Sequence, residues 1–338
     1  MRKLNAITFL SFLCLLIFSC SKDYKTQEIN FQNNEINISA RIYKPQGDGS
    51  FPAVVLVPSA EPDTKDTYSG YAEYFASHGI VVISYDKRGS GMSTGNIWKA
   101  DFKDLLDDAL SCINYMKLLS YVDTNKMGFL GHSQGGMYIF MADSVSDDVS
   151  FLINVSGSPG TPIEQSNYNI HSKMLENGAS KIYTDSLVSL MNDYIIYMRE
   201  RNNFASIQTR YDIAIGDPQK IIADKINYFE QFKYLLPSNN MPPVEDLEMY
   251  PFMRSYDFEP GVFYPKLAIP ALVIYGSEDH VIPAKNCFEK VKILIANNKN
   301  IEAKIYENAN HGIKEESLSG MKYPENYFED LTKWIISH

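Results

Sequence analysis

The chain has 338 residues, 45% hydrophobic and 21% charged, with a formal net charge of −10. That length accommodates one large α/β domain with an insertion, or two domains. The acidic balance argues against a nucleic-acid partner, because neutralising phosphates needs a basic surface.

The first stretch reads as an export leader. Arg2-Lys3 is a basic start, and residues 9–18 form an apolar run too short to span a bilayer. The run ends in Leu16-Ile17-Phe18-Ser19-Cys20, which resembles the bacterial lipobox, with polar Ser21-Lys22-Asp23 directly after it. The expectation is a signal peptide over residues 1–19, a lipid anchor on Cys20 and a tether over 20–27. That reading puts the protein in the bacterial cell envelope, on the periplasmic face or the cell surface, and makes the membrane its partner through the lipid.

The body starts with alternating polar and apolar positions over residues 28–43, broken at Asn33-Asn34, which predicts a hairpin. Phe51-Pro52-Ala53-Val54-Val55-Leu56-Val57 is a continuous apolar run and predicts a strand buried on both faces. A helix is predicted over 68–77, with Gly79 as its stop, and a second buried strand over 80–85. That strand leads into Asp86-Lys87-Arg88-Gly89-Ser90-Gly91. The turn lacks both the Gly-x-Gly-x-x-Gly spacing and a Gly-Lys-Ser/Thr ending, so nucleotide binding is rejected. Asp86 and Arg88 are expected to brace loops instead. Residues 102–119 carry one apolar stripe, Leu105, Ala109, Cys112, Met116 and Leu119, and predict a helix.

Next comes Gly131-His132-Ser133-Gln134-Gly135, between the apolar run 127–130 and a helical run from Met137. Strand, Gly-x-Ser-x-Gly and helix together predict a nucleophile elbow that presents Ser133 at a helix N-terminus. After a further strand over 151–157 the alternation of strand and helix breaks. Residues 158–263 contain no buried strand pattern, and two helices stand out, 185–199 and 218–236, the latter with Asp217 as N-cap. This segment is expected to form a helical cap between two halves of an α/β core, 28–157 and 264–338. The pattern resumes with a strand over 270–276, a helix through 291–296, a strand over 301–306 and a closing helix over 323–336.

A serine needs a base within hydrogen-bond reach, and the base needs an orienting acid. Of six histidines, His311 alone follows a strand directly in the C-terminal part, in Asn310-His311-Gly312. Asp279 follows the preceding strand, with Glu278 and Asp257 as rivals. The chain order serine, aspartate, histidine then matches this type of elbow. An oxyanion site needs two backbone N–H groups, expected from Gln134 and from Ala60, since Pro58 has none to give. No metal or cofactor is expected. Cys112 reads as a core residue; a bridge to Cys287 is possible for an exported chain, though the spacing does not require it.

Taken together, Val54-Val55-Leu56-Val57, Tyr85-Asp86-Lys87-Arg88-Gly89-Ser90-Gly91, the serine elbow, Tyr275-Gly276-Ser277-Glu278-Asp279 and Asn310-His311-Gly312 resemble the α/β-hydrolase superfamily. Within it, they are similar to bacterial carboxylesterases related to the dienelactone-hydrolase and prolyl-oligopeptidase branches. The resemblance implies a mostly parallel sheet covered by helices on both faces, with Ser133, Asp279 and His311 as catalytic triad and a small-molecule ester as substrate. Relatives usually carry His-Gly where this chain has Pro58-Ser59. Two alternatives stand beside the esterase. A thioesterase or an aminopeptidase could use the same triad, the latter with Glu245, Asp246 or Glu248 holding an amine. A non-catalytic, ligand-binding surface lipoprotein is the other, motivated by Pro58-Ser59.

Overall fold

The computed structural model describes residues 23–338, so the leader and Cys20 lie outside it. In chain order the elements are β1 (Tyr24–Asn33), β2 (Ile36–Pro45), β3 (Phe51–Val57), α1 (Ser69–Ser77), β4 (Val81–Tyr85), α2 (Phe102–Met116), β5 (Val122–His132), α3 (Gln134–Tyr138) and β6 (Phe151–Val155). The helices α4 (Pro162–Glu176), α5 (Lys181–Glu200), α6 (Phe204–Gly216), α7 (Lys220–Asp224) and α8 (Pro251–Arg254) follow. The chain ends with β7 (Ala271–Gly276), α9 (Ala284–Leu294), β8 (Ile301–Tyr306), β9 (Glu315–Ser317), β10 (Gly320–Lys322) and α10 (Tyr327–Ser337).

Eight strands form one sheet in the order β1-β2-β4-β3-β5-β6-β7-β8. From β4 to β8 all neighbours run parallel, while β1 and β2 pair antiparallel at one edge. Parallel strands need crossovers, and the intervening helices cover both faces. That is why β4, β6 and β7 are buried at every position and read as unbroken apolar runs. On one face α2, α3 and α9 pack through Phe102, Leu105, Cys112, Met137 and Val291. On the other, α1 and α10 contribute Tyr71, Phe75, Tyr327, Leu331 and Trp334. The strands therefore end together at one rim, where ligand-binding loops gather in open α/β sheets.

Between β6 and β7 the chain builds a separate helical layer with its own core, including Leu187, Leu190, Met191, Tyr194 and Met198 of α5. The predicted helix over 218–236 is not continuous. It ends in a Schellman motif, with Asn227 left-handed at φ 53°, Tyr228 N–H donating to Ala223 O and Asn227 N–H to Asp224 O. Ile221, within the predicted helix, is 69% exposed. The Asp217 carboxylate does accept the Gln219 N–H at 2.8 Å. Sequence reading passed over α4, although Thr161-Pro162-Ile163-Glu164 spells its capping box, with Thr161 and Glu164 bonded reciprocally. It also passed over α6 and the β9–β10 hairpin.

The tether expected over 20–27 is corrected at its end. Residues Tyr24, Lys25 and Thr26 pair with Pro45, Lys44 and Tyr43 in the first ladder, and Tyr24 is buried. The extra strand length sits where Tyr24 packs on Tyr43 with ring centroids 5.9 Å apart. Cys112 and Cys287 are both buried and free.

Candidate active site

The elbow joins β5 to α3, and Ser133 sits at its apex with φ 54° and ψ −117°. A non-glycine residue at positive φ is strained and persists only where its surroundings over-determine it. Here Ser133 N–H is tied to Val155 O at 2.8 Å. Close approach explains the flanking glycines. A Cβ on Gly131 would lie 2.6 Å from the Gly135 carbonyl, and one on Gly135 would lie 2.6 Å from the carbonyl oxygen of Pro58. Those contacts press the start of α3 against the end of β3, beside the loop that carries Ala60.

Asp279 lies just past β7, and its carboxylate is completely buried. One oxygen, Oδ1, accepts the N–H groups of Val281 at 2.7 Å and Ile282 at 3.1 Å. The other, Oδ2, faces His311 Nδ1 at 2.7 Å. The loops carrying the two residues are held together by the backbone: Glu278 N–H donates to Ala309 O at 2.9 Å. Asn310 shapes the histidine loop, its Oδ1 accepting from Gly312 and Lys314 N–H groups. The rival carboxylates sit elsewhere. Glu278 is half exposed beside Lys285, and Asp257 is exposed near Arg199.

Ser133, His311 and Ala60 line one cavity of about 440 Å³ beneath the helical layer. Gln134 is buried behind it as the first residue of α3, so its N–H has no carbonyl one turn earlier to bond. In the loop after β3 the Ser59 N–H is already taken by Asp63 Oδ2 at 2.8 Å, whereas Ala60 N–H has no protein acceptor among the described residues. Ser133, His311 and Ala60 thus share one cavity, with Asp279 bonded to His311 and Gln134 next in chain to Ser133. Four of the six histidines sit away from that point: His78 and His338 at helix ends, His171 beside Asp185, and His280 exposed near Glu176.

The sequence pattern of the serine aminopeptidase family (S33) matches residues 52–210, and that of the prolyl oligopeptidase family matches 222–335. The chain belongs to the α/β-hydrolase superfamily. This hydrolase is 23% identical to esterase EstD of Thermotoga maritima, over 93% of its own length and 69% of EstD. It is 26% identical to the quorum-quenching protein AidA of Acinetobacter baumannii, over 36% of this chain and 40% of that protein. Among solved structures, the Pyrococcus furiosus esterase superposes with a TM-score of 0.53 at 14% identity, covering 93% of this chain and 89% of that one. Est1E of Butyrivibrio proteoclasticus, solved with ferulic acid bound, gives a TM-score of 0.53 at 15% identity, covering 91% and 96%. At those identities the two structures establish the fold.

The hydrolase site has further members that sequence reading did not single out. His132 Nε2 meets the carbonyl of His311 at 3.1 Å, which requires that nitrogen to carry the proton. Burial, followed by the nearby His311, pushes the His132 pKa down to about 4, so this imidazole is neutral and braces the histidine loop. Asp63 accepts from both Ser59 N–H and Tyr68 OH and so folds the loop after β3 back on itself. Asp86 clamps neighbouring loops as expected, accepting from Lys65 and Met92 N–H groups. Arg88 reaches α2 rather than a loop, through Asp108 at 2.6 Å. From the helical layer, Gln165, Asn169 and Lys173 of α4 face the cavity beside Tyr250 and Phe252. An adjoining cavity of about 690 Å³ shares Glu61, Lys173, Gln231 and Tyr250 with the first and extends it along that layer. Among the described residues no group of three histidines, cysteines or carboxylates is placed to hold a metal ion.

Proposed function

We propose that this hydrolase cleaves small carboxylic esters through an acyl-enzyme on Ser133. The observation that carries the reading is a fully buried carboxylate, Asp279, bonded to His311, which shares a cavity with the strained elbow serine. In this reading Ser133 Oγ attacks the ester carbonyl carbon while His311 Nε2 takes its proton. Asp279 keeps the His311 proton on Nδ1, which leaves Nε2 free to accept, and stabilises the imidazolium. The oxyanion receives the N–H groups of Ala60 and Gln134. His311 returns its proton to the leaving alcohol, and a water, activated the same way, releases the acid. The cavity suits a small acyl or alcohol group with polar substituents, since Gln165 and Asn169 line it together with Phe252 and Met253.

The amine-holding carboxylates considered for an aminopeptidase give it little support. Asp246 pairs with Lys99, Glu248 accepts from Asn96, and neither lines the serine cavity. The test is hydrolysis of short p-nitrophenyl esters, with thioester and aminoacyl substrates in the same panel. Ser133→Ala should abolish ester turnover and labelling by a fluorophosphonate; retained turnover refutes the assignment, and an unlabelled wild type would favour a ligand-binding protein. We also propose that Cys20 carries a lipid that anchors the enzyme in the cell envelope. Cys20→Ala should move the protein from the detergent phase to the aqueous phase in a Triton X-114 partition.

A further inference from the structure

Lys87 is 1% exposed, and lysine is almost never buried so fully without a partner of opposite charge. Among the described residues it forms no ion pair. Its ammonium donates instead to two neutral oxygens, the carbonyl of Ser59 and, at 3.0 Å, the side-chain Oε1 of Gln134. Both belong to the oxyanion site of the proposed esterase, on whose reading this inference rests. The Ser59 carbonyl and the Ala60 N–H are the two ends of a single peptide group. That group is planar and trans, so its C=O and N–H point in opposite directions. Fixing the oxygen on Lys87 therefore aims the hydrogen the other way, on the cavity side where Ala60 lies.

We infer that Lys87 is a positioning residue for the oxyanion site: it anchors the peptide that carries the Ala60 donor and locks Gln134, the residue that carries the other. A cation on the carbonyl end of a peptide also draws electron density from its N–H end, which strengthens that donor toward a negative oxygen. The same anchor accounts for the Pro58-Ser59 departure. Loop shape here is set by Lys87, from outside the loop, on the Ser59 carbonyl and by Asp63, from within it, on the Ser59 N–H. Burial lowers the Lys87 pKa to about 7 against the pull of Asp63, Glu61 and Asp108, the kind of perturbed group that gathers at functional sites.

The test compares wild type with Lys87→Met and Lys87→Gln in the full chain, read by ester kinetics and by the affinity of a trifluoromethyl ketone. That ketone forms a tetrahedral oxyanion on the serine, and a non-fluorinated ketone of the same shape serves as the ground-state control. Losing an oxyanion donor outright lowers kcat by roughly 10²–10³-fold, so a misaimed one should lower it by about 10- to 100-fold. KM and control-ketone affinity should change less than about threefold, and trifluoromethyl ketone affinity should fall in step with kcat. Lys87→Gln keeps a neutral donor and should fall between wild type and Lys87→Met; if the methionine variant does not fold, the glutamine variant is read by the same criteria. A folded variant with wild-type kcat, or with equal losses for both ketones, overturns the inference. Fluorophosphonate labelling rates are taken in parallel. Wild type that labels but turns over no ester sinks the ester reading alone, and slower labelling of the Lys87 variants would still support the positioning role.

Discussion

Replacing Asp279 by asparagine changes one atom and reverses the chemistry of the histidine beside it. The Oδ1 position must keep accepting, because the Val281 and Ile282 N–H groups point at it from 2.7 and 3.1 Å. The amide nitrogen is therefore forced into the Oδ2 position, 2.7 Å from His311 Nδ1, and presents a hydrogen to it. Nδ1 must then be the acceptor, the ring proton moves to Nε2, and no lone pair remains there to take the serine proton. The equivalent change in a serine protease lowers kcat about 10⁴-fold, which corresponds to about 5.5 kcal/mol at the transition state. We expect the same order for Asp279→Asn here, with KM little changed, since the cavity lining is untouched. The assay is p-nitrophenyl acetate hydrolysis at pH 7.5, with thermal unfolding as a control for fold. A folded Asp279→Asn protein with kcat within tenfold of wild type would refute the assignment of Asp279 and the tautomer argument together.

Gly135→Ala should fail to reach the native packing or lose at least about 2–3 kcal/mol, because the new Cβ would meet the backbone carbonyls of Pro58 and Val57 at 2.6 and 2.7 Å, neither free to yield. Urea unfolding measures it, and a wild-type midpoint would contradict the elbow packing. Arg88→Met removes the cation from the Asp108 carboxylate, which is 1% exposed and bonded to Arg88 at 2.6 Å, leaving the neutral Asn33 amide as its side-chain donor, and should destabilise by about 3–5 kcal/mol. Calorimetry showing an unchanged melting temperature would argue that α2 does not depend on this pair. His132 supplies a pH prediction. Its folded pKa, about 4, lies below its unfolded value of about 6.5, so the unfolded chain binds a proton that the native fold refuses. Stability should fall as pH drops from about 6.5 to 4, by at most about 3 kcal/mol because the ring keeps some contact with the cavity. His132→Gln should flatten that part of the urea-midpoint profile; an identical profile would assign the acid sensitivity to other groups.

The sequence alone determined the buried strands of the sheet and picked out Ser133, Asp279 and His311 as the candidate trio. Strands buried on both faces must be unbroken apolar runs, and a serine elbow must be bracketed by glycines, so 54–57, 81–85, 271–276 and 131–135 declare themselves locally. Asp279 and His311 were legible because each directly follows such a strand. The helical layer was less so: its helices pack on each other with broad, mixed faces, and the stop at Asn227 is a backbone event that an apolar stripe does not reveal. Only the tertiary structure decided which polar groups support the oxyanion loop. Lys87, Asp63 and Gln134 are separated by 24 to 71 positions along the chain. A lysine inside Asp-Lys-Arg-Gly reads as solvated surface until β3, β4 and α3 close around it and hand its ammonium two carbonyl oxygens to donate to. Desolvation and hydrogen-bond geometry exist only once the chain has folded, and they turn that charge from surface into framework.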